Sequence, residues 1–136
     1  MTSPEPAHGA TAAPFTRMKL TDVANRAPAD SGIEAHFPRT DLGAEQAGVA
    51  FHRLAPNVRQ PFGHRHEQAE EIFIVIGGSG RMKLDDEIVE LERLVVIRVA
   101  PTVTRSLEAG PDGLEVIVAG AHHASDGELV PGWWND

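Results

Sequence analysis

Short segments in which apolar and polar residues alternate run through most of this chain, and turn-forming residues separate them. Arg81 to Leu84 alternates and stops at Asp85-Asp86, and Glu87 to Leu91 alternates after that turn. Further strands are predicted at 33–37, 48–54, 95–99, 102–108 and 114–119, with a possible edge strand at 18–21. No stretch has a sustained helical period. Short strands at regular spacing, separated by Gly, Pro and Asp turns, predict an all-β sandwich or barrel.

The stretch from Gly63 to Gly80 combines polar residues suited to a site with an apolar run and a glycine-rich segment. His64 and His66 are one residue apart, so on a strand both imidazoles point to the same side. A short turn then leads to Glu70-Glu71, and one of these carboxylates would join the histidines. Two neutral imidazoles and a carboxylate are a plausible ligand set for a first-row transition metal with open positions.

The residues after Glu70 predict a strand, a turn and a second strand. Glu71 to Ile76 is apolar at nearly every position, which predicts a strand covered on both faces. Gly77 to Gly80 predicts a turn, and Gly110-Pro111-Asp112-Gly113 predicts another one later in the chain.

Length and charge narrow the classes of function. The 136 residues predict one domain, and the net charge of −8 with no basic run argues against a nucleic-acid partner. The longest apolar stretch is too short for a membrane span, and no signal peptide is evident, so a cytoplasmic protein is expected. The absence of cysteine excludes disulfides and thiolate metal sites. The composition of residues 1–14 predicts a flexible N-terminal tail, and residues 15–136 are predicted to form the folded domain.

The spacing of His64, His66, Glu71 and Gly78 resembles the first motif of the cupin superfamily, and Glu70 with Gly77 fits a shorter version of it. The resemblance covers roughly residues 46–119. It implies a double-stranded β-helix, or jelly-roll barrel, and commonly a homodimer. It also implies that His64, His66 and Glu71 bind a divalent transition metal, namely Fe, Mn, Ni or Zn.

The second cupin motif is where this chain departs from the family. When the chain is aligned with the family's motif on its strand and turn, Arg105 stands in place of the histidine ligand. When the position is counted from Pro101 as the motif proline, Ser106 stands there instead. Strand parity groups Arg105 with apolar neighbours and points it to the interior. Because an unpaired buried guanidinium is very costly, it should meet Glu71 (or Glu70) or the anionic group of a ligand.

Two functions of different class remain open. In the first, the chain is a metalloenzyme of dioxygenase, isomerase or lyase type that acts on a small anionic molecule, with Arg105 and Glu70 as candidate catalytic residues. In the second, it is a metal-free cupin for binding or sensing a small molecule, with Arg105 paired to Glu71.

Other polar and aromatic residues carry weaker expectations. His52 is either a further ligand or acid–base group, or an ordinary strand residue. His36 and the pair His122-His123 are expected to be solvated loop residues. Trp133-Trp134 would fold over the barrel mouth or enter a dimer interface, because indoles favour half-buried positions.

Overall fold

The computed structural model describes residues 13–136, so the predicted N-terminal tail lies outside the described residues except for its last two. The regular secondary structure of the described part consists almost entirely of strands, which confirms the all-β prediction. In chain order they are β1 (Ile33–His36), β2 (Ala47–Leu54), β3 (Phe62–His66), β4 (Glu71–Leu84), β5 (Glu87–Glu92), β6 (Val96–Val99), β7 (Arg105–Ala121) and β8 (Gly127–Pro131).

Helical structure in the described residues amounts to two single turns. A 3-10 turn spans Leu20–Asp22, where an edge strand was predicted, and that prediction was wrong. The α-helix α1 spans Arg39–Leu42 and ends at Gly43, whose φ of 72° lies in the left-handed region. None of the helical segments between residues 13 and 136 has the length and apolarity that a membrane crossing needs.

The two long strands β4 and β7 shape the barrel. Each was predicted as two strands joined by a glycine turn, and each is instead continuous. Their pairing is interrupted by register shifts between Val75 and Gly77 and between Gly78 and Gly80. A Cβ added at Gly78 would overlap the carbonyl of Gly113, so the glycines allow the two backbones to approach closely. They serve as bulges within long strands rather than as chain reversals.

The strands form one curled antiparallel sheet. The order β1-β2-β7-β3-β8 is joined by β4, which pairs with β5, β6 and β7. The first half of β4 lies between β6 and the second half of β7, while its second half lies between β5 and the first half of β7. Both long strands therefore pass from one half of the barrel to the other, as in a jelly roll.

The core lies between the two halves of the barrel. Its fully buried side chains include Leu54, Val75, Met82, Leu107 and Val116. Along the first half of β4, Phe73 and Val75 are buried, whereas Ile72 and Ile76 are 40% and 41% exposed. The prediction that this strand is covered on both faces was therefore wrong for the single chain.

The C-terminal segment packs on the outer face of the barrel. The indole Nε1 of Trp134 donates to the Gln60 carbonyl at 2.9 Å and to Ser106 Oγ at 3.2 Å. The Lys83 ammonium lies 4.4 Å from the centre of the Trp133 ring and donates to the Trp133 carbonyl at 2.6 Å. The tryptophans therefore cover the outward side of β7, and the expectation that they fold over the barrel mouth was wrong.

Candidate metal centre and ligand cavity

Three side chains converge at one end of the barrel. His64 and His66 project from β3 to the same side, and Glu71 begins β4 after a four-residue connection. Glu71 Oε1 lies 3.6 Å from His64 Nε2 and 3.3 Å from His66 Nε2. The two imidazole rings are nearly perpendicular, with centroids 5.4 Å apart. The two histidines therefore lie on the same side of their strand, as the sequence predicted, and Glu71 joins them.

The electrostatics of this cluster favour an ionised carboxylate at Glu71 and a neutral imidazole at His66. Burial acts to raise the pKa of Glu71, but the contacts with His64, His66 and Arg105 outweigh it and hold this pKa below its usual value. Burial lowers the pKa of His66, and nearby Arg105 acts in the same direction. These are the protonation states that metal ligation requires.

Arg105 lies in the interior, as its strand parity predicted, and is 1% exposed. Its Nη2 donates to Glu71 Oε1 at 3.0 Å, and its Nη1 donates to the carbonyls of Pro101 and Val103 at 3.1 and 2.6 Å. Of the partners that the sequence left open, Glu71 is the one that Arg105 contacts. Since both terminal nitrogens are engaged by the protein and the residue does not line the cavity, the side chain is placed to hold Glu71.

Asp126 is part of the site and was missed from the sequence. It accepts hydrogen bonds from the backbone N–H groups of Glu67, Gln68 and Ala69 at 3.0, 3.0 and 2.9 Å. Its Oδ2 also lies 3.4 Å from His66 Nδ1. The connection between the histidines and Glu71 is therefore fixed by one carboxylate. Its only sequence signal is Asp126-Gly127, a common turn pair.

The carboxylate of Asp126 also influences His66. Although burial acts to raise the pKa of Asp126, the three backbone N–H donors hold it below its ordinary value. Carboxylates lie on both sides of the ring, with Asp126 Oδ2 3.4 Å from Nδ1 and Glu71 Oε1 3.3 Å from Nε2. With Nε2 bound to a metal ion, Asp126 would favour the tautomer that carries the proton on Nδ1.

A cavity of about 760 Å³ opens next to these residues, and His64, His66 and Glu71 form part of its wall. His52, from β2, also lines it and meets Phe37 edge to face, with ring centroids 5.8 Å apart. Burial, together with His64, lowers the pKa of His52 to about 4, so this imidazole is neutral at pH 7. His52 is therefore near the site as an uncharged wall residue.

The remaining residues singled out in the sequence lie elsewhere. Glu70 is exposed on the outer surface and pairs with Arg98 at 3.1 Å, so the structure does not bring it into the site. His36 is 3% exposed on β1 and bonds the Val23 carbonyl through Nδ1 at 2.9 Å, which makes the solvated-loop expectation wrong. His122 and His123 follow β7 in a loop, as expected, and line the edge of the cavity.

The donor atoms of the converging residues fit a transition metal. One donor atom from each of His64, His66 and Glu71 can be chosen so that all lie within 4.8 Å of one another. With metal–ligand bonds of ~2.1 Å, neighbouring ligands of an octahedral ion are ~3 Å apart, close to the 3.3 and 3.6 Å found here. The site therefore suits an ion with three protein ligands, although Arg105 adds a fixed positive charge nearby.

Comparison with known proteins identifies relatives of the fold. The sequence matches no protein-family model and no curated protein. Among solved structures, a cupin protein from Bacteroides fragilis is 26% identical, with a TM-score of 0.61 over 79% of this chain and 89% of that one.

Two further solved structures are named as enzymes. The polyketide cyclase RemF from Streptomyces resistomycificus is 20% identical, with a TM-score of 0.70 over 89% of this chain and 87% of that one. A Bacillus subtilis oxalate decarboxylase variant is 21% identical, with a TM-score of 0.72 over 93% of this chain and 35% of that one. These likenesses confirm the jelly-roll barrel predicted from the sequence.

Proposed function

Because this chain has the cupin fold and its structural neighbours support its assignment to the cupin superfamily, we propose that it is a metalloprotein that acts on a small molecule. His64, His66 and Glu71 would hold one divalent ion, Fe, Mn, Ni or Zn. The observation that carries this proposal is the convergence of three donor atoms within 4.8 Å on the wall of a 760 Å³ cavity. Such an ion supplies Lewis-acid or redox chemistry at its open positions.

The surrounding residues have separate roles in this proposal. Asp126 holds the connection between the histidines and Glu71 and lies 3.4 Å from His66 Nδ1, and Arg105 fixes the Glu71 carboxylate by a 3.0 Å hydrogen bond. His52 contributes an uncharged wall beside the site. Dioxygenase, isomerase and lyase chemistry are all compatible with this arrangement. Glu70 has no role in it, because this carboxylate lies on the outer surface.

Metal analysis tests the proposal directly. Protein purified without chelators, or exposed in turn to each of the four ions, is expected to retain about one ion per chain by elemental analysis. His64→Ala should abolish this retention because it removes one of three ligands. His122→Ala, which alters an exposed histidine at the cavity edge, is the matched control and should retain the ion. Wild-type protein that retains none of the four ions would refute the proposal.

A second candidate function is a metal-free cupin that binds or senses a small molecule. The observation that favours it is the ion pair between Arg105 and Glu71, which places a guanidinium against a carboxylate that a metal would share. Arg105→His would replace this cation with a third imidazole, which would be the fourth ligand of the site. We expect Zn²⁺ affinity to increase in this variant, and an unchanged affinity would show that position 105 does not influence the metal site.

We also propose that two copies associate through the outer face of the β6-β4-β7 sheet. Ile72 and Ile76 are 40% and 41% exposed there, and Val96 is 60% exposed and directly opposite Ile74. These residues form an apolar surface on the outside of a chain that carries a net charge of −8. Val96→Lys should shift sedimentation from dimer to monomer, whereas Ile88→Lys, on β5, should not. A wild-type monomer at high concentration would refute this.

A further inference from the structure

The charges on the cavity wall are unbalanced. Histidines aside, the described residues that line the cavity include three charged side chains, Arg39, Glu71 and Glu128. Glu71 is paired with Arg105 at 3.0 Å, and Glu128 is paired with Arg65 at 2.6 Å. Arg39 has no carboxylate partner among the described residues. One positive charge on the wall is thus left without a negative one.

The hydrogen bonds of Arg39 are also incomplete. This residue begins α1, and its Nη2 donates to the Glu45 carbonyl at 3.2 Å. Its Nε is shielded from solvent and has no hydrogen-bond partner among the described residues. Because protein atoms cover Nε, a ligand in the cavity would meet the guanidinium through its terminal nitrogens, and of these only Nη2 has a hydrogen-bond partner among the described residues. Nη1 is therefore the donor that Arg39 can offer to an anion.

The rest of the cavity is mainly apolar. Phe37, Phe62 and Leu129 line it and remain 48%, 46% and 68% exposed, so they offer uncovered apolar surface at the opening. Phe73 forms part of the wall deeper in the barrel. His52 adds no charge at neutral pH because its pKa is about 4. A ligand with a large apolar body would bury this surface.

We propose that the ligand has an apolar body of aromatic size and one anionic group, and that Arg39 binds this group. The inference rests on the proposed function, since it assigns the ligand class of the same cavity. Arg105 does not bind the anionic group, because its terminal nitrogens already donate to Glu71 and to backbone carbonyls. In this proposal Arg39 has that role instead. The phenylalanines and Leu129 contact the apolar body, and the polar cluster of His64, His66 and Glu71 faces the remaining part of the ligand.

Two fluorescent probes that differ in charge test this inference. 1-Anilinonaphthalene-8-sulfonate is an aromatic anion, and N-phenyl-1-naphthylamine has the same rings without the sulfonate. Both are titrated into the wild-type chain and Arg39→Met, once with EDTA and once with Zn²⁺. Arg98→Met is the matched control, because it removes an exposed arginine outside the cavity. Arg39→Gln is a second variant in case the methionine variant is poorly folded.

The expected result is selective loss of the anionic probe. Loss of one charge-assisted hydrogen bond should weaken anilinonaphthalenesulfonate binding by about tenfold or more in the Arg39 variants. Binding of the neutral probe should stay within about twofold, and Arg98→Met should change neither. Competition between the probes in the wild-type chain should show that they share one site.

Three outcomes would overturn the inference: no binding of either probe, equal weakening of both probes in the Arg39 variants, and undiminished binding of the anion. The EDTA arm separates this result from the metal proposal. If no metal is retained but the Arg39 dependence persists, the metal proposal fails and the ligand class stands. If metal is retained but the Arg39 variants weaken both probes equally or neither probe, the proposed ligand class is refuted and the metal proposal stands.

Discussion

Replacement of His52 by leucine is expected to flatten the dependence of stability on pH between about 4 and 6.5. Burial lowers the pKa of this imidazole to about 4 in the folded chain, from 6.5 when it is unperturbed. Between these two values the unfolded chain binds a proton that the folded chain does not. The free energy of unfolding therefore decreases as the pH falls through this window, and the contribution is absent above pH 7.

The size of this effect follows from the two pKa values. At pH 5 the protonation of His52 in the unfolded chain should cost about 2 kcal/mol of stability, and well below pH 4 the cost approaches about 3 kcal/mol. Leucine cannot titrate, so the variant should lack this loss. Leucine also removes the imidazole Nδ1, which is buried and has no hydrogen-bond partner in the described part of the chain, so the variant should be at least as stable at pH 7.5.

Urea unfolding followed by circular dichroism, in EDTA and at pH values from 4 to 8, would measure both curves. The free energy of unfolding of the wild type minus that of the variant should decrease by about 2 kcal/mol between pH 7.5 and pH 5. NMR titration of the His52 ring gives an independent value of its pKa. Parallel curves, or a ring that titrates near 6.5, would refute the burial assigned to this residue.

Three further variants test the site and the outer face. Asp126→Asn should weaken Zn²⁺ binding by about tenfold or more and accelerate amide exchange at 67–69, and unchanged exchange would contradict its anchoring role. Arg105→Met should destabilise the fold by about 3 kcal/mol or more, because it leaves the Glu71 carboxylate without its cation. In urea unfolding, the double variant with Glu71→Gln should recover part of this stability, and equal losses in the single and double variants would exclude coupling between the two residues. Gly63→Ala places a Cβ 2.7 Å from Trp133 Cγ, so it should displace the C-terminal segment and shift tryptophan emission to longer wavelength, and an unchanged spectrum would show that this packing is absent.

The local periodicity of the sequence was sufficient to predict much of the candidate site. The side-chain period of a strand places His64 and His66 on one side, and it also places Arg105 among buried residues. The cost of an unpaired buried charge predicted an anionic partner for this arginine. Strand geometry and general electrostatics were enough for these features, but the choice among Glu71, Glu70 and a ligand anion was decided only by the structure.

The glycine segments show where local patterns were insufficient. Gly77 to Gly80 and Gly110 to Gly113 have the composition of turns, yet both lie inside long strands. The reason is that Gly78 packs against the backbone of Gly113, more than thirty residues away in the chain. A close approach between distant backbones has the same local composition as a turn, so only the strand pairing distinguishes the two.

The sequence by itself therefore determined the all-β class, the jelly-roll resemblance, the three candidate metal ligands and the inward arginine. The tertiary structure decided which polar groups share a space. It places Glu70 on the outer surface, Asp126 beside His66, and Arg39 on the cavity wall with no carboxylate partner between residues 13 and 136. The physical reason is that periodicity fixes the side of a strand on which a residue lies, whereas partners and unpaired charges depend on contacts between strands far apart in the chain.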